Sequence, residues 1–160
     1  MTEQRTAGNE LDRIEREIRI DAPLERVWDL VSAPGWWIND GSEVAQDVER
    51  VAPDRVLVHD PAYGDFAVAT VALERPRYAA FRGYLGADAQ KRTGDLGPGA
   101  STLVEFFLQD AGGEVILRVV ESGFATLAED ARALRAMIES NSAGWEEELA
   151  LAARALTGRR

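Results

Sequence analysis

Residues 13–31, RIEREIRIDAPLERVWDLV, carry two different hydrophobic periods in succession. In the first eight residues, isoleucines of one parity alternate with charged residues: Ile14, Ile18 and Ile20. This period of two predicts a half-exposed strand, which ends at Asp21-Ala22-Pro23. Four apolar residues then recur at helical spacing: Leu24, Val27, Trp28 and Val31. Because Pro23 suits the first turn of a helix, we expect a short helix directly after the strand, running to about Ser32.

The middle of the chain is predicted to form six antiparallel strands, because short apolar or alternating runs are separated by turn residues. These runs cover residues 43–51, 55–59, 66–75, 77–85, 101–109 and 114–122. A turn is predicted at Asn39-Asp40-Gly41, before the first run. Residues 86–100 contain four glycines and the only lysine of the chain. We expect a functional or mobile loop there.

The last third of the chain is predicted to be helical, since apolar residues recur at spacings of four and three. They form two series: Leu127, Ala131, Leu134 and Ile138, then Trp145, Leu149, Ala152 and Leu156. We expect a break and an N-cap between the two series, at Asn141 to Gly144. The order of strand, helix, six strands and terminal helix predicts an α+β fold with an antiparallel sheet. We expect one domain over residues 11–157, between a disordered tail at 1–10 and a short tail at 158–160.

Composition excludes several classes of function. The 160 residues include 18 Lys and Arg against 28 Asp and Glu, which gives a net charge of −10, with one histidine and no cysteine. Disulfides and thiol nucleophiles are therefore excluded, and we expect neither a metal nor a cofactor. Acidic surfaces repel phosphates, so nucleic-acid binding is not expected. Because no run approaches the roughly 20 apolar residues of a membrane span, we expect a cytoplasmic protein without membrane insertion.

Three motifs resemble the START/Bet v 1-like superfamily, also called SRPBCC. They are I-x-A-P-x-x-x-V-W at Ile20 to Trp28, E-S-G-F at Glu121 to Phe124, and G-W-x-x-x-L at Gly144 to Leu149. Within the superfamily, residues 13–157 resemble bacterial homologues of the activator of the ninety-kilodalton heat-shock protein ATPase. The resemblance implies a helix-grip fold, in which a curved seven-stranded antiparallel sheet wraps around a long C-terminal helix, with short helices after the first strand.

The same resemblance implies a function centred on a cavity between sheet and helix. Members of the superfamily bind lipids, sterols, polyketides and other apolar molecules, so we expect this chain to bind a small hydrophobic or aromatic ligand. The alternative is an enzyme of the polyketide cyclase/dehydratase type, and a weaker alternative is a chaperone-associated co-factor. The eukaryotic activators have a chaperone-binding domain where this chain has about ten polar residues, so a chaperone partner is not expected. A homodimer is compatible with the resemblance.

Large aromatic residues are the first candidates for the cavity lining. Trp36 and Trp37 are too large to leave both in water, and Trp145 lies on the apolar stripe of the last helix. Plain core packing is the alternative for each. Glu121 shares the parity of the apolar Leu117 and Val119. It is therefore a better candidate for an interior polar group than Arg118, which alternates with them.

A polar pocket wall is predicted on one strand. Tyr78, Arg82 and Tyr84 share one face, and two phenols with a guanidinium would orient a carboxylate or carbonyl, although the alternative is an outward face. The full predicted ligand-binding set is Trp36, Trp37, Tyr78, Arg82, Tyr84, Phe106, Glu121, Trp145 and Leu149. His59 precedes Asp60, but adjacent strand residues point to opposite faces, which argues against a catalytic dyad. We therefore interpret His59 as a strand-end histidine and assign no catalytic residue.

Overall fold

The computed structural model describes residues 12–38, 46–60, 64–85 and 96–157, without the side chains of Tyr84 and Leu85. The strands are β1 (Arg13–Ile20), β2 (Asp47–Ala52), β3 (Arg55–Asp60), β4 (Gly64–Glu74), β5 (Tyr78–Leu85), β6 (Thr102–Asp110) and β7 (Val115–Ser122). The helices are α1 (Leu24–Val31), between β1 and β2, and α2 (Ala131–Thr157), after β7. This order confirms the predicted one. The predicted tails, the turn at 39–41 and most of the loop at 86–100 lie outside the described residues.

All seven strands form one curved antiparallel sheet in the order β1-β7-β6-β5-β4-β3-β2. The first strand pairs with the last, so that Ile14 lies opposite Glu121 and Ile20 lies opposite Val115. The fold is therefore α+β with the helix-grip arrangement that the sequence resemblance implied. No helix among the described residues combines the length and the apolar character that crossing a membrane requires.

The main hydrophobic core lies between α2 and one face of the sheet, which we call the inner face. Directly opposed residues of neighbouring strands share a face, and the pairs Phe81 with Val104 and Ala79 with Phe106 are all buried in this core. α2 contributes the buried residues of the predicted stripe: Trp145, Leu149, Ala152 and Leu156. The sequence period thus identified the buried side of the terminal helix.

The opposite side, which we call the outer face, has a smaller apolar cluster of its own. Leu57, Ala67 and Ala69 pack there beneath Leu96, which follows the part of the 86–100 loop that is not described. The hydroxyl of Ser101 donates hydrogen bonds to the carbonyls of Leu96 and Gly97. The end of this loop is thereby fixed over the outer face.

The terminal helix differs from its prediction, because α2 is one helix of 27 residues without a break at Asn141 to Gly144. At its N-terminal end, the carboxylate of Asp130 accepts a hydrogen bond from the backbone N–H of Ala133, at 2.8 Å. Asn141 uses its side chain for an interior contact with Glu121 and caps no second helix. A helical glycine costs about 1 kcal/mol relative to alanine. The packing of the buried stripe after Gly144 offsets this cost.

Gly35 fixes the segment that carries Trp36 and Trp37. Its φ of +81° lies in the left-handed region, and an added Cβ would lie 2.6 Å from Cγ2 of Val58 on β3. The Gln46 side chain donates hydrogen bonds to the carbonyls of Gly35, at 2.8 Å, and Ile38. The segment is therefore held close against the inner face.

We expect Gly35→Ala to destabilise the fold in two ways. The left-handed φ costs a side-chain-bearing residue about 1–2 kcal/mol, and the close approach to Val58 adds about 1–3 kcal/mol of overpacking. Gly112→Ala is the matched control, since Gly112 has a φ of +73° and no atom within 4 Å of its added Cβ. Urea unfolding measures both variants. Equal losses of unfolding free energy in the two variants would contradict the close contact at Gly35.

Candidate ligand site between the sheet and the terminal helix

Five aromatic rings meet between the inner face and α2, and we call them the aromatic cluster: Trp36, Trp37, Phe81, Phe106 and Trp145. Trp37 contacts all four others, with ring centroids 5.5 Å from Phe81, 5.4 Å from Phe106, 5.9 Å from Trp145 and 6.1 Å from Trp36. These separations are those of favourable tilted and edge-to-face pairs. Phe81 was absent from the predicted set. Its parity places it on the face opposite to that of Tyr78 and Arg82, and its buried cross-strand partner Val104 shows that this is the inner face.

Glu121 is the polar centre of this region, and its predicted inward orientation is confirmed. Its side chain is 7% exposed and accepts three hydrogen bonds. Thr102 Oγ1 donates to Oε2 at 2.6 Å, while Trp145 Nε1 and Asn141 Nδ2 donate to Oε1 at 2.8 and 3.3 Å. Burial raises the pKa of Glu121 above its ordinary value, and the three hydrogen bonds oppose this shift. The interior thus holds a carboxyl group whose protonated form is favoured by burial.

The Trp36 indole is the second polar feature of the interior. Its side chain is 7% exposed, and its Nε1 has no hydrogen-bond partner among the described residues. Trp145 Nε1, in the same aromatic cluster, donates to Glu121. Of the two buried indoles of the cluster, one N–H group is therefore paired and the other has no partner among the described residues.

The structure does not bring Tyr78 and Arg82 to this site, because both lie on the outer face, opposite Phe107 and Leu103. The Tyr78 hydroxyl donates to Glu105 at 2.6 Å, and burial together with this bond raises the pKa of the phenol. Arg82 donates to the Ser101 carbonyl at 3.4 Å. The predicted shared face of the two residues is correct, but it is the face turned away from α2. The side chain of Tyr84 lies outside the described part of the chain.

His59 lies on β3 near its end, as expected, and has two carboxylate partners that the sequence did not reveal. Its Nδ1 lies 2.7 Å from Asp65 Oδ1 on β4, and its Nε2 lies 3.0 Å from Glu49 Oε1 on β2. The hydrogen bond with Asp65, followed by that with Glu49, raises the pKa of His59. Because both ring nitrogens face carboxylates, the imidazole is stabilised as a cation and is poorly suited to act as a base.

Comparisons with known proteins identify the fold. Protein MLL2253 from Mesorhizobium loti superposes with a TM-score of 0.65 at 17% identity, over 92% of this chain and 98% of that chain. The Aha1 dimer from Colwellia psychrerythraea gives a TM-score of 0.63 at 14% identity, over 92% of this chain and 98% of that chain. DynU16, from the dynemicin biosynthetic locus, gives a TM-score of 0.63 at 18% sequence identity, over 91% of this chain and 47% of that chain. The chain has a START/Bet v 1-like fold. At these identities the likeness shows the fold alone.

Sequence comparison adds nothing to this assignment, since neither a protein-family model nor a curated protein sequence matches the chain. The START/Bet v 1-like fold places the aromatic cluster and Glu121 between sheet and helix, where the sequence resemblance implied a cavity. It does not identify a ligand.

We expect the single histidine of the START/Bet v 1-like domain to titrate above its ordinary value of 6.5. Its folded-state pKa is raised, so its contribution to stability is complete below pH 6.5 and is lost as the pH rises through the folded-state pKa. NMR titration of the imidazole ring protons measures the midpoint. Asp65→Asn should lower this midpoint more than Glu49→Gln, because the Asp65 bond is the larger cause. The reverse ranking would contradict the observed pairing.

We also expect Glu121 to make stability depend on pH. A carboxyl group with a raised folded-state pKa is protonated in the native state while its unfolded counterpart is ionised. This contribution to the free energy of unfolding therefore falls as the pH rises from the ordinary pKa of 4.5 to the folded-state pKa, and is constant above it. Glu121→Gln resembles the neutral acid and should remove this part of the fall. Urea unfolding of both proteins between pH 4 and about pH 8 measures the difference, and parallel profiles would refute the buried acid.

Proposed function

We propose that the chain binds a small hydrophobic or aromatic ligand between the inner face and α2, against the aromatic cluster. The observation that carries this proposal is the convergence of five aromatic rings with a buried carboxyl group and an unpaired indole N–H group. Ligand sites are mostly apolar, with a few polar groups that orient the ligand. A core that serves stability alone gains nothing from an unpaired buried donor.

Charge narrows the class of ligand. Glu121 is the only acidic or basic residue that is buried within the described part of the chain, and the whole chain carries a net charge of −10. An anionic ligand would be repelled on approach, and its burial would remove the charge from water. Neutral ligands are therefore favoured over anionic ones. DynU16, a structurally similar protein, comes from a biosynthetic locus, which is consistent with a small-molecule role.

Glu121 also supports an alternative, an enzyme of the cyclase or dehydratase type in which this carboxyl group transfers a proton. Its raised pKa favours the protonated form, which a general acid requires. Its three hydrogen-bond partners, Thr102, Asn141 and Trp145, supply no second group that titrates near neutrality. Binding without turnover is therefore the better supported function. An enzyme would lose turnover in Glu121→Gln while retaining its ligand affinity.

We also propose that the chain forms a homodimer. This proposal rests only on similarity, since the Aha1 of Colwellia psychrerythraea is described as a dimer. Analytical ultracentrifugation of the full chain measures the oligomeric state directly.

We expect the neutral fluorophore Nile red to bind the folded protein saturably, with about one site per chain. Ala152→Phe enlarges a buried residue of the α2 stripe and should abolish this binding. Its stability should fall by less than the roughly 1–3 kcal/mol of an overpacked core, because a binding site accepts added volume. Ala136→Phe is the control, since Ala136 lies exposed on the same helix.

Two measurements together test the proposal. Fluorescence titration gives the stoichiometry and affinity for each protein, and urea unfolding gives its stability. A wild-type protein without a saturable site, combined with severe destabilisation of Ala152→Phe, would mean that the interior is closely packed and would overturn the proposed function.

A further inference from the structure

The two tryptophans that are fully buried in the aromatic cluster differ in one respect. Trp145 is 4% exposed and its Nε1 donates to Glu121 at 2.8 Å. Trp36 is 7% exposed and its Nε1 has no partner among the described residues. Most buried polar side-chain atoms in proteins have a partner, so each exception requires a physical reason.

Several acceptors near Trp36 in sequence or in the cluster accept hydrogen bonds from other donors. The carbonyls of Gly35 and Ile38, on either side of the tryptophan pair, accept from the Gln46 side chain. Both oxygens of Glu121 accept from other donors. The two rings that contact Trp36, those of Trp37 and Phe106, offer no oxygen acceptor. Since no acceptor among the described residues bonds this N–H group, it is available to an acceptor on a ligand.

Trp37 provides the route by which a ligand can reach this donor. Four members of the aromatic cluster are at most 7% exposed, whereas Trp37 is partly exposed. Its ring contacts every other member, including Trp36 at 6.1 Å and 86°. A planar ligand that displaces the Trp37 ring would keep the aromatic contacts of the cluster and would lie beside Trp36.

We infer that the ligand displaces Trp37 and presents a neutral hydrogen-bond acceptor, such as a ketone oxygen, to Nε1 of Trp36. The inference rests on the proposed function and specifies its ligand class as planar, uncharged compounds that bear a carbonyl group. An indole N–H only donates, and a carbonyl oxygen only accepts, so the two groups match. A carboxylate is disfavoured in this role, because the buried site would remove it from water and the chain has a net charge of −10.

A matched pair of probes isolates this hydrogen bond. Fluorene and 9-fluorenone have nearly the same planar shape, but only the ketone has an acceptor. We expect 9-fluorenone to displace Nile red from the wild-type protein with about three- to tenfold higher affinity than fluorene, in line with one net hydrogen bond. Trp36→Phe should remove this preference, because a phenyl ring has no N–H group.

Two further variants control the experiment. Trp28→Phe removes another buried indole, on α1 and outside the aromatic cluster, and should keep the preference. Trp145→Phe removes a paired N–H group, so urea unfolding should show a larger loss of stability for Trp145→Phe than for Trp36→Phe. If Trp36→Phe does not fold, replacement of Trp36 by the isosteric benzothienylalanine removes the N–H group and keeps the ring shape.

The outcomes separate the inference from the proposed function. Saturable Nile red binding with equal affinities for the two probes, or a preference that survives loss of the Trp36 N–H group, would overturn the inference alone. Equal destabilisation by Trp36→Phe and Trp145→Phe would also overturn it, because the Trp36 N–H group would then have a partner in the free protein. Absence of any saturable Nile red site would overturn both.

Discussion

The carboxyl group of Glu121 joins the three parts of the fold that enclose the interior. It lies on β7 and accepts hydrogen bonds from Thr102 on β6 and from Asn141 and Trp145 on α2. Asn141 and Trp145 are separated by four residues, which brings both to one face of a helix, and both donate to the same oxygen. Hydrogen bonds are directional, so this shared acceptor fixes the rotation and the height of α2 over the sheet.

This arrangement also explains why α2 continues through Gly144. The segment Asn141-Ser142-Ala143-Gly144 has the composition of a helix break, yet both of its flanking donors must reach Oε1 of Glu121. Only helical geometry over residues 141–145 brings the two donors together in this way. Burial of the carboxyl group is unfavourable, as the raised pKa of Glu121 indicates. Three hydrogen bonds offset this cost and make the position of the helix specific.

Local periodicity predicted most of the fold and part of the site. The strand β1, the helix α1 and the buried stripe of α2 follow directly from spacings of two, three and four residues. Parity also identified Glu121 as the inward-facing acid and Arg118 as its outward neighbour. The single-residue alternation of a strand needs no tertiary information, which is why these predictions succeeded.

Tertiary contacts determine the features of the site that local sequence patterns did not predict. The partners of Glu121 and His59 come from other strands and from α2, at sequence separations that no local pattern spans. The same limit explains why the polar pocket wall predicted at Tyr78 and Arg82 was assigned to the wrong face of the sheet. Parity shows which residues of a strand share a face, but it does not show which face meets the helix. On β5 the choice depended on Ala79 and Phe81, whose cross-strand partners Phe106 and Val104 lie in the core.

The two faces of the sheet differ in how completely their polar groups are paired. On the outer face, polar groups are paired with each other. The Arg118 guanidinium lies 4.4 Å from the centre of the Phe107 ring and bonds Glu15 at 2.7 Å, which lowers the pKa of that carboxyl group. His59 is bonded at both nitrogens. Such networks stabilise a sheet and leave few polar groups without a hydrogen-bond partner.

The inner face holds fewer polar groups, and their hydrogen bonds compensate less completely for their burial. There, burial opposes ionisation of Glu121, and the Trp36 indole lacks a partner among the described residues. Both conditions are energetically unfavourable for the free protein, and neither is needed to fill the space between sheet and helix, since aromatic and aliphatic side chains already do so. A phenylalanine in place of Trp36 would supply an aromatic ring without burying a donor that has no partner among the described residues. Glu121 positions α2 through its three hydrogen bonds, so the Trp36 N–H group is the feature of the inner face that packing does not explain, and it supports the proposed ligand site.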